Sequence, residues 1–161
     1  MKISSRAHYG VRAMTELAKM SDRRPLSLTE IAETEQMPLP YLEQLIAPLR
    51  RAGLVEGTRG LHGGYRLTRA PEVISVGEIV RVLDGPISLV DCVAEDYVAG
   101  ACGREPVCLS KGIWGRVKQS IEQVLDSTSL ADLLKESELA GFIQLDQELQ
   151  ELRKVAAVEK R

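Results

Sequence analysis

Three cysteines lie within one short stretch of the 161-residue chain, and the chain contains no others. Nine residues separate Cys92 from Cys102, and five separate Cys102 from Cys108. Thiolates bind iron–sulfur clusters and zinc because these soft ligands match such metals. An odd number of cysteines also argues against a closed set of disulfides. From these residues alone, an iron–sulfur cluster, a zinc ion and a redox-active thiol all remain open.

An enzyme with a nucleophilic cysteine is disfavoured because the chain offers few bases. A catalytic thiol needs a group such as histidine beside it. The only histidines are His8, near the start of the chain, and His62, in a glycine-rich stretch that we predict to be a hairpin turn. We therefore do not expect the protein to be an enzyme.

Composition and charge favour a cytoplasmic protein that binds nucleic acid. The first ten residues contain no apolar region typical of a signal peptide, and no apolar run approaches the length of a membrane span. The net charge of −2 hides an asymmetry: residues 1–70 carry 11 Lys/Arg against 7 Asp/Glu, whereas residues 71–161 carry 10 against 16. A basic first half is typical of a nucleic-acid-binding module. In the cytoplasm the thiols would stay reduced.

The segment before the cysteines predicts three helices in close succession. Apolar residues at helical spacing indicate a first helix over residues 4–20. Ser27 and Glu30 have the spacing of a capping box, which starts a second helix. After the turn "QMPLP", a third helix is predicted in "YLEQLIAPLRRAG", with Pro40 in its first turn and Gly53 after its end.

A hairpin and further helices follow. Residues 54–58 and 65–68 are predicted as short strands joined by a glycine-rich turn, and "SVGEIVRVLDG" predicts a fourth helix. The cysteines then occupy a loop over about 86–109 without periodic segments, before a long helix at about 110–126 with an apolar stripe. Three helices and a hairpin are the order of a winged helix-turn-helix. We therefore expect a mainly α fold with a small β-hairpin wing.

The third helix and the wing carry residues suited to reading DNA. In a helix-turn-helix, the N-terminal residues of the second motif helix contact bases in the major groove. Glu43 can accept from a cytosine amino group, Gln44 can pair with adenine, and Pro40 suits a thymine methyl. Arg59 suits a narrow minor groove, where the potential is most negative. With backbone and phosphate contacts included, the predicted DNA-binding residues are Arg6, Leu39, Pro40, Tyr41, Glu43, Gln44, Arg50, Arg59, Gly60, His62, Gly63 and Gly64.

Several segments resemble one family of regulators. "YLEQL", "HGGYRL" and "GEIVR", with "VLDSTSLADLL" further on, are similar to the winged-helix iron–sulfur regulators, which include the cluster-assembly regulator IscR and the nitric-oxide sensor NsrR. The resemblance covers residues 1 to about 135. It implies a homodimeric transcription factor, a repressor of operator DNA, whose long helix crosses that of its partner. It also implies base-reading roles for Pro40, Glu43 and Arg59.

This resemblance also implies a domain organisation. We expect a winged helix-turn-helix domain over 1–84, a cluster-binding loop over 85–109 and dimerisation helices over 110–137. Residues 138–161 would form a helical or disordered tail. Apolar residues in that tail have the spacing of a coiled-coil seam; they are Phe142, Leu145, Leu149, Leu152 and Ala156.

The same resemblance implies a cofactor and its ligands. Cluster-binding members have three cysteines in this loop, so Cys92, Cys102 and Cys108 are implied as ligands, with a 2Fe-2S cluster favoured over 4Fe-4S. Some members place a histidine three residues after the third cysteine, where this chain has Lys111, whose protonated ammonium has no lone pair. Other members use a side chain from the first helix of the partner, and His8 matches that position.

We therefore expect Cys3His ligation that bridges two protomers and a DNA affinity that depends on the cluster. The signal would be redox state, nitric oxide or the supply of iron–sulfur clusters. The alternative that remains open is a DNA-binding regulator of the same fold that senses thiol redox state or zinc without a cluster.

Overall fold

The computed structural model describes residues 4–21, 24–60 and 63–137. The helices α1 (Ser5–Lys19), α2 (Leu28–Thr34) and α3 (Leu39–Arg51) precede the strands β1 (Val55–Thr58) and β2 (Gly64–Leu67). Helices α4 (Val76–Asp84) and α5 (Lys111–Ser127) follow, and a further helix, α6, runs over 130–137. The expectation of a mainly α fold with a two-stranded hairpin is confirmed. The coiled-coil spacing predicted after residue 138 lies outside the described residues.

Serine side chains fix where several helices begin. The hydroxyl of Ser4 accepts a hydrogen bond from the amide of Ala7, which caps α1. At α2 both halves of the predicted capping box form: Ser27 accepts from the Glu30 amide, and the Glu30 carboxylate accepts from the Ser27 amide. Such caps satisfy amide groups that have no partner inside the helix and stabilise each helix by about 1 kcal/mol.

The core lies between α1, α3 and α4. The apolar face predicted for α3 is buried, and Leu42, Leu45 and Leu49 are fully enclosed. Burial of each such leucine contributes about 1.5–3 kcal/mol. Close contact between α1 and α4 is possible because residue 10 is glycine: a Cβ atom there would lie 2.0 Å from the Leu83 side chain.

The hairpin packs against the start of α2 and thereby has a fixed position on the helix-turn-helix. Its strands pair antiparallel, with Val55 opposite Leu67. Tyr65 also pairs with Leu26, through reciprocal backbone hydrogen bonds of 3.0 and 2.7 Å. A Cβ atom at Gly64 would lie 2.5 Å from the Leu26 carbonyl oxygen, so this approach excludes any larger residue.

Helix α5 is attached to the winged helix mainly through its C-terminal end. The guanidinium of Arg81 on α4 donates two parallel hydrogen bonds of 2.7 Å to the carboxylate of Asp126. Immediately after α5, Leu130 is fully buried. Between α4 and α5, the predicted cysteine loop contains two short 3-10 turns, Asp91–Val93 and Glu105–Val107, which the periodicity did not reveal. Among the described residues, no helix is long and apolar enough to cross a membrane.

Candidate DNA interface and cysteine loop

The N-terminal part of α3 presents polar side chains to solvent. Pro40, Glu43 and Gln44 are exposed and lie on one face of the helix because they are spaced by three and four residues. Leu39 and Tyr41 are half-buried and pack against the core, so they support the helix from within. Glu43 belongs to no salt bridge within the described residues. Its carboxylate is therefore available to a base edge.

The arginines predicted to contact DNA differ from an arginine on the second strand of the hairpin. Arg6 on α1, Arg50 near the end of α3 and Arg59 directly after β1 are all exposed. None of them pairs with a carboxylate in the part of the chain that the structure describes. By contrast, Arg66 on β2 pairs with Glu56 at 2.6 Å. Arg6, Arg50 and Arg59 are therefore available to DNA phosphates.

The tip of the hairpin is built for a tight turn. Gly60 has a φ of 116°, a conformation that favours glycine. The amide of Gly63 donates to the Gly60 carbonyl at 2.9 Å, and a Cβ atom at Gly63 would lie 2.4 Å from the Thr58 carbonyl oxygen. The glycines at 63 and 64 thus satisfy a packing requirement of the chain itself, besides any contact with DNA. His62 lies outside the described residues.

Helix α1 is linked to both helices of the helix-turn-helix. The rings of Tyr9 and Tyr41 meet edge to face. Glu35 directly follows α2. The guanidinium of Arg12 donates to the Glu35 carboxylate at 2.5 Å and to the Glu35 backbone carbonyl at 2.8 Å. It also lies 5.3 Å from the centre of the Tyr9 ring. A movement of α1 would therefore be transmitted to α2 and α3.

His8 is exposed on α1, beside Tyr9. It lines a mainly apolar groove with Val11, Val80 and Leu125, and none of the three cysteines lines that groove. Within the described residues of one chain, His8 thus belongs to no cluster of possible metal ligands with the cysteines.

The three cysteines are free thiols in one segment. Cys102 is exposed, and Cys92 and Cys108 are half-buried. Within the described residues of a single chain, no three His, Cys, Asp or Glu side chains are gathered closely enough to hold a metal ion. A hydrogen bond from the Ser110 hydroxyl and others from the backbone of Ser110 and Lys111 lower the pKa of Cys108, which favours the thiolate that binds metals.

A polar network in this loop was missed by sequence reasoning. Glu105 accepts hydrogen bonds from the Tyr97 hydroxyl at 2.8 Å and from the Gly100 amide at 2.6 Å, and it pairs with the ammonium of Lys111. The bond from Lys111, with those from Gly100 and Tyr97, lowers the pKa of Glu105 to about 2. Glu105 in turn raises the pKa of Lys111, so this side chain stays protonated and cannot act as a ligand.

Helix α5 has an apolar stripe that the described chain leaves uncovered. No residue of α5 is buried, and Ile113, Trp114 and Val124 are exposed. Val117 and Ile121 continue the stripe along a shallow groove that ends at Leu125. Exposed apolar stripes of this length mark interaction surfaces.

Comparisons with known proteins agree with this architecture. The family model described as "Rrf2: Iron-dependent Transcriptional regulator" matches residues 3–136. The HTH-type transcriptional regulator CymR of Bacillus subtilis is 44% identical over 133 residues, which are 83% of this chain and 89% of CymR. The solved structure of CymR, described as the global cysteine regulator of B. subtilis, has a TM-score of 0.70 and 41% identity, covering 84% of this chain and 98% of CymR.

The structure of IscR from T. potens is similar to the same extent. It has a TM-score of 0.71 and 46% identity, and the match covers 87% of this chain and 90% of IscR. The matched proteins are transcriptional regulators, so the prediction that the chain is not an enzyme is confirmed. The chain belongs to the Rrf2 family of DNA-binding transcriptional regulators.

Proposed function

We propose that this regulator is a homodimer whose affinity for operator DNA is set by an iron–sulfur cluster held in the cysteine loop. The observation that carries the proposal is the set of three free thiols, gathered in the one segment that joins the winged helix to α5. The domain boundaries at residues 84, 109 and 137 remain part of this proposal. The segment contributes little to the core, so its sequence is available for a regulatory role.

The donors fit an iron–sulfur cluster by their chemistry. Cys92, Cys102 and Cys108 are reduced and accessible, and the lowered pKa of Cys108 favours its ligating form. In one described chain the thiols do not yet form a closed metal site, so the loop must tighten around the group that it binds. A bound cluster, for which we favour the 2Fe-2S type, would supply a redox-active and oxidant-sensitive centre.

The exposed stripe of α5 supports a dimer. Association of two α5 helices would remove Ile113, Val117, Ile121 and Val124 from water. Leu125 lines both the α5 groove and the groove beside His8, so a partner on α5 would also come close to α1. This arrangement supports His8 of one protomer as the fourth ligand to the cysteines of the other.

The contacts of α1 offer a route from the cysteine loop to DNA. Ligation of His8 would fix the position of α1 relative to the partner's loop. Because Tyr9 contacts Tyr41 and Arg12 holds Glu35, the recognition helix would follow α1. Release of His8 from a bound cluster would change the separation of the two recognition helices, which would be a switch between two arrangements of a dimer.

A second candidate function is a regulator that senses thiols or zinc without a cluster. The exposed thiol of Cys102 and the lowered pKa of Cys108 favour it, since both make a thiol reactive. The similarity to a protein described as a cysteine regulator also supports it.

Anaerobic isolation, reconstitution with iron and sulfide, and analysis of both elements separate the two functions. The proposal expects visible charge-transfer absorbance with bound iron and sulfide, and loss of both in Cys108→Ser. His8→Ala should change the spectrum without unfolding the protein. Substitution of the chain's other histidine, His62→Ala, should leave the spectrum unchanged. Bound zinc without sulfide would support the second function.

A further inference from the structure

We propose that Tyr97, Glu105 and Lys111 form a clasp that folds the cysteine loop from Tyr97 to the start of α5 before any metal binds and thereby positions the backbone at Cys102 and Cys108. All contacts of the clasp lie within a single chain. Its role in positioning metal ligands rests on the function proposed above. The order of residues along the loop supports this role. One clasp residue lies in each gap between consecutive cysteines, and the third follows the last cysteine at the start of α5.

Glu105 is the centre of the clasp. One carboxylate oxygen accepts hydrogen bonds from the Tyr97 hydroxyl at 2.8 Å and the Gly100 amide at 2.6 Å, and the other oxygen pairs with Lys111. Glu105, which lies between the second and third cysteines, therefore binds two residues from between the first and second cysteines. It also binds Lys111, the first residue of α5. Such charge-assisted hydrogen bonds are stronger than neutral ones.

Tyr97 extends the clasp to the cysteines. Its hydroxyl oxygen, besides donating to Glu105, accepts a hydrogen bond of 3.2 Å from the backbone amide of Cys102. Its ring lies 4.8 Å from the ammonium of Lys111, at cation–π distance. At the other end, the backbone amide of Cys108 donates to the backbone carbonyl of Glu105 at 3.4 Å. The backbone at the second and third cysteines is thus bonded to residues of the clasp.

The clasp explains how nine residues between the first two cysteines can be accommodated. A long flexible loop loses conformational entropy when it closes around a ligand, and this loss weakens binding. If part of the loop is already folded by its own side chains, metal binding has fewer residues to order. Tyr97, Glu105 and Lys111 are therefore positioning residues, which orient the ligands without touching the metal.

Amide hydrogen exchange of the reduced, metal-free, full-length protein, followed by NMR, tests the clasp directly. We expect the amides of Gly100 and Cys102 to exchange several-fold more slowly than in an unstructured chain. Glu105→Gln should remove the protection of both amides. Tyr97→Phe keeps the ring but loses the hydroxyl, so it should expose only the Cys102 amide.

Asp96→Asn is the matched control because it removes one carboxylate from the same loop. Among the described residues, Asp96 takes part in no ion pair, so both amides should stay protected. The amide spectrum of α1 to α4 should be unchanged in all three variants, which excludes general unfolding. Rapid exchange at both amides in the wild type, or equal loss in Asp96→Asn, would overturn the clasp.

The positioning role is tested by cluster retention. After reconstitution with iron and sulfide, Glu105→Gln should lose the visible absorbance to a chelator about 10–100-fold faster than the wild type, as substitutions around metal ligands usually do. Equal rates would overturn the role in positioning. If the wild type shows protected amides but assembles no cluster, the proposed function fails, while the folding of the loop by the clasp is supported.

Discussion

The ring of Tyr9 on α1 meets the ring of Tyr41 on α3 edge to face, with centroids 5.8 Å apart and planes at 90°. Tyr41 lies in the first turn of the recognition helix, between Pro40 and the exposed Glu43. The pair therefore determines how the base-reading end of α3 is oriented on α1. Aromatic pairs of this geometry contribute about 0.5–1.5 kcal/mol beyond the area that they bury.

We expect Tyr9→Leu to lower the free energy of unfolding by about 1 kcal/mol and to weaken operator binding, because α3 loses its aromatic support. Chemical denaturation and fluorescence anisotropy with operator DNA measure the two effects. Tyr9→Phe is the control: it keeps the ring and should leave both quantities nearly unchanged. Wild-type operator affinity in Tyr9→Leu would show that this contact does not position α3.

Arg59→Ala should weaken DNA binding, because Arg59 is exposed on the wing and unpaired within the described residues. We expect the slope of log affinity against log salt concentration to fall by about 1. Arg66→Ala, on the same hairpin, removes an arginine that already pairs with Glu56 and should change the slope little. Equal effects of the two substitutions would mean that the wing contributes only net charge.

Val124→Asp should disrupt the dimer. Val124 is 62% exposed in the single chain and belongs to the apolar stripe of α5, so a partner helix would enclose a charge there. Sedimentation velocity should show a monomer, with helix content retained. Gln123→Asp places the same charge on an adjacent exposed position and should remain a dimer. A dimeric Val124→Asp variant would exclude α5 as the interface.

Glu30 should titrate far below an ordinary glutamate. Hydrogen bonds from Arg24 and then from Ser27 lower its pKa from 4.5 to about 2. Since the folded-state pKa lies below the unfolded one, the contribution of Glu30 to stability is complete above about pH 4.5 and is lost as the pH falls towards 2. Carboxyl carbon NMR shifts give the midpoint directly. Arg24→Ala should raise the titration midpoint of Glu30. An unchanged midpoint would show that the hydrogen bond from Arg24 does not lower the pKa.

The fold was predictable wherever local chemistry determines it. Ser4, Ser27 and Ser75 cap helices at the ends that periodicity had indicated, and the glycine-rich stretch turns between two strands as expected. The family could be recognised for the same reason, since its motifs lie in these elements.

The clasp and the support of α3 were not predictable, because they depend on contacts between residues without periodic spacing. Tyr97, Glu105 and Lys111 occur in a loop whose sequence shows no helical or strand pattern, and only the folded chain brings them together. Likewise, Tyr41 is predicted to contact DNA, and the structure adds that its ring packs against Tyr9 and the core. Sequence proximity to base-reading residues did not reveal that packing.

The central claim is that a cluster in the cysteine loop controls DNA binding. The most direct measurement compares operator affinity of one anaerobic sample before and after removal of its cluster, with visible absorbance recorded on both. We expect charge-transfer absorbance that disappears with the cluster and in Cys108→Ser, and a change in affinity of about 5–150-fold, the usual range of allosteric coupling. Equal affinity with and without the cluster, or no absorbance after reconstitution, would contradict the claim.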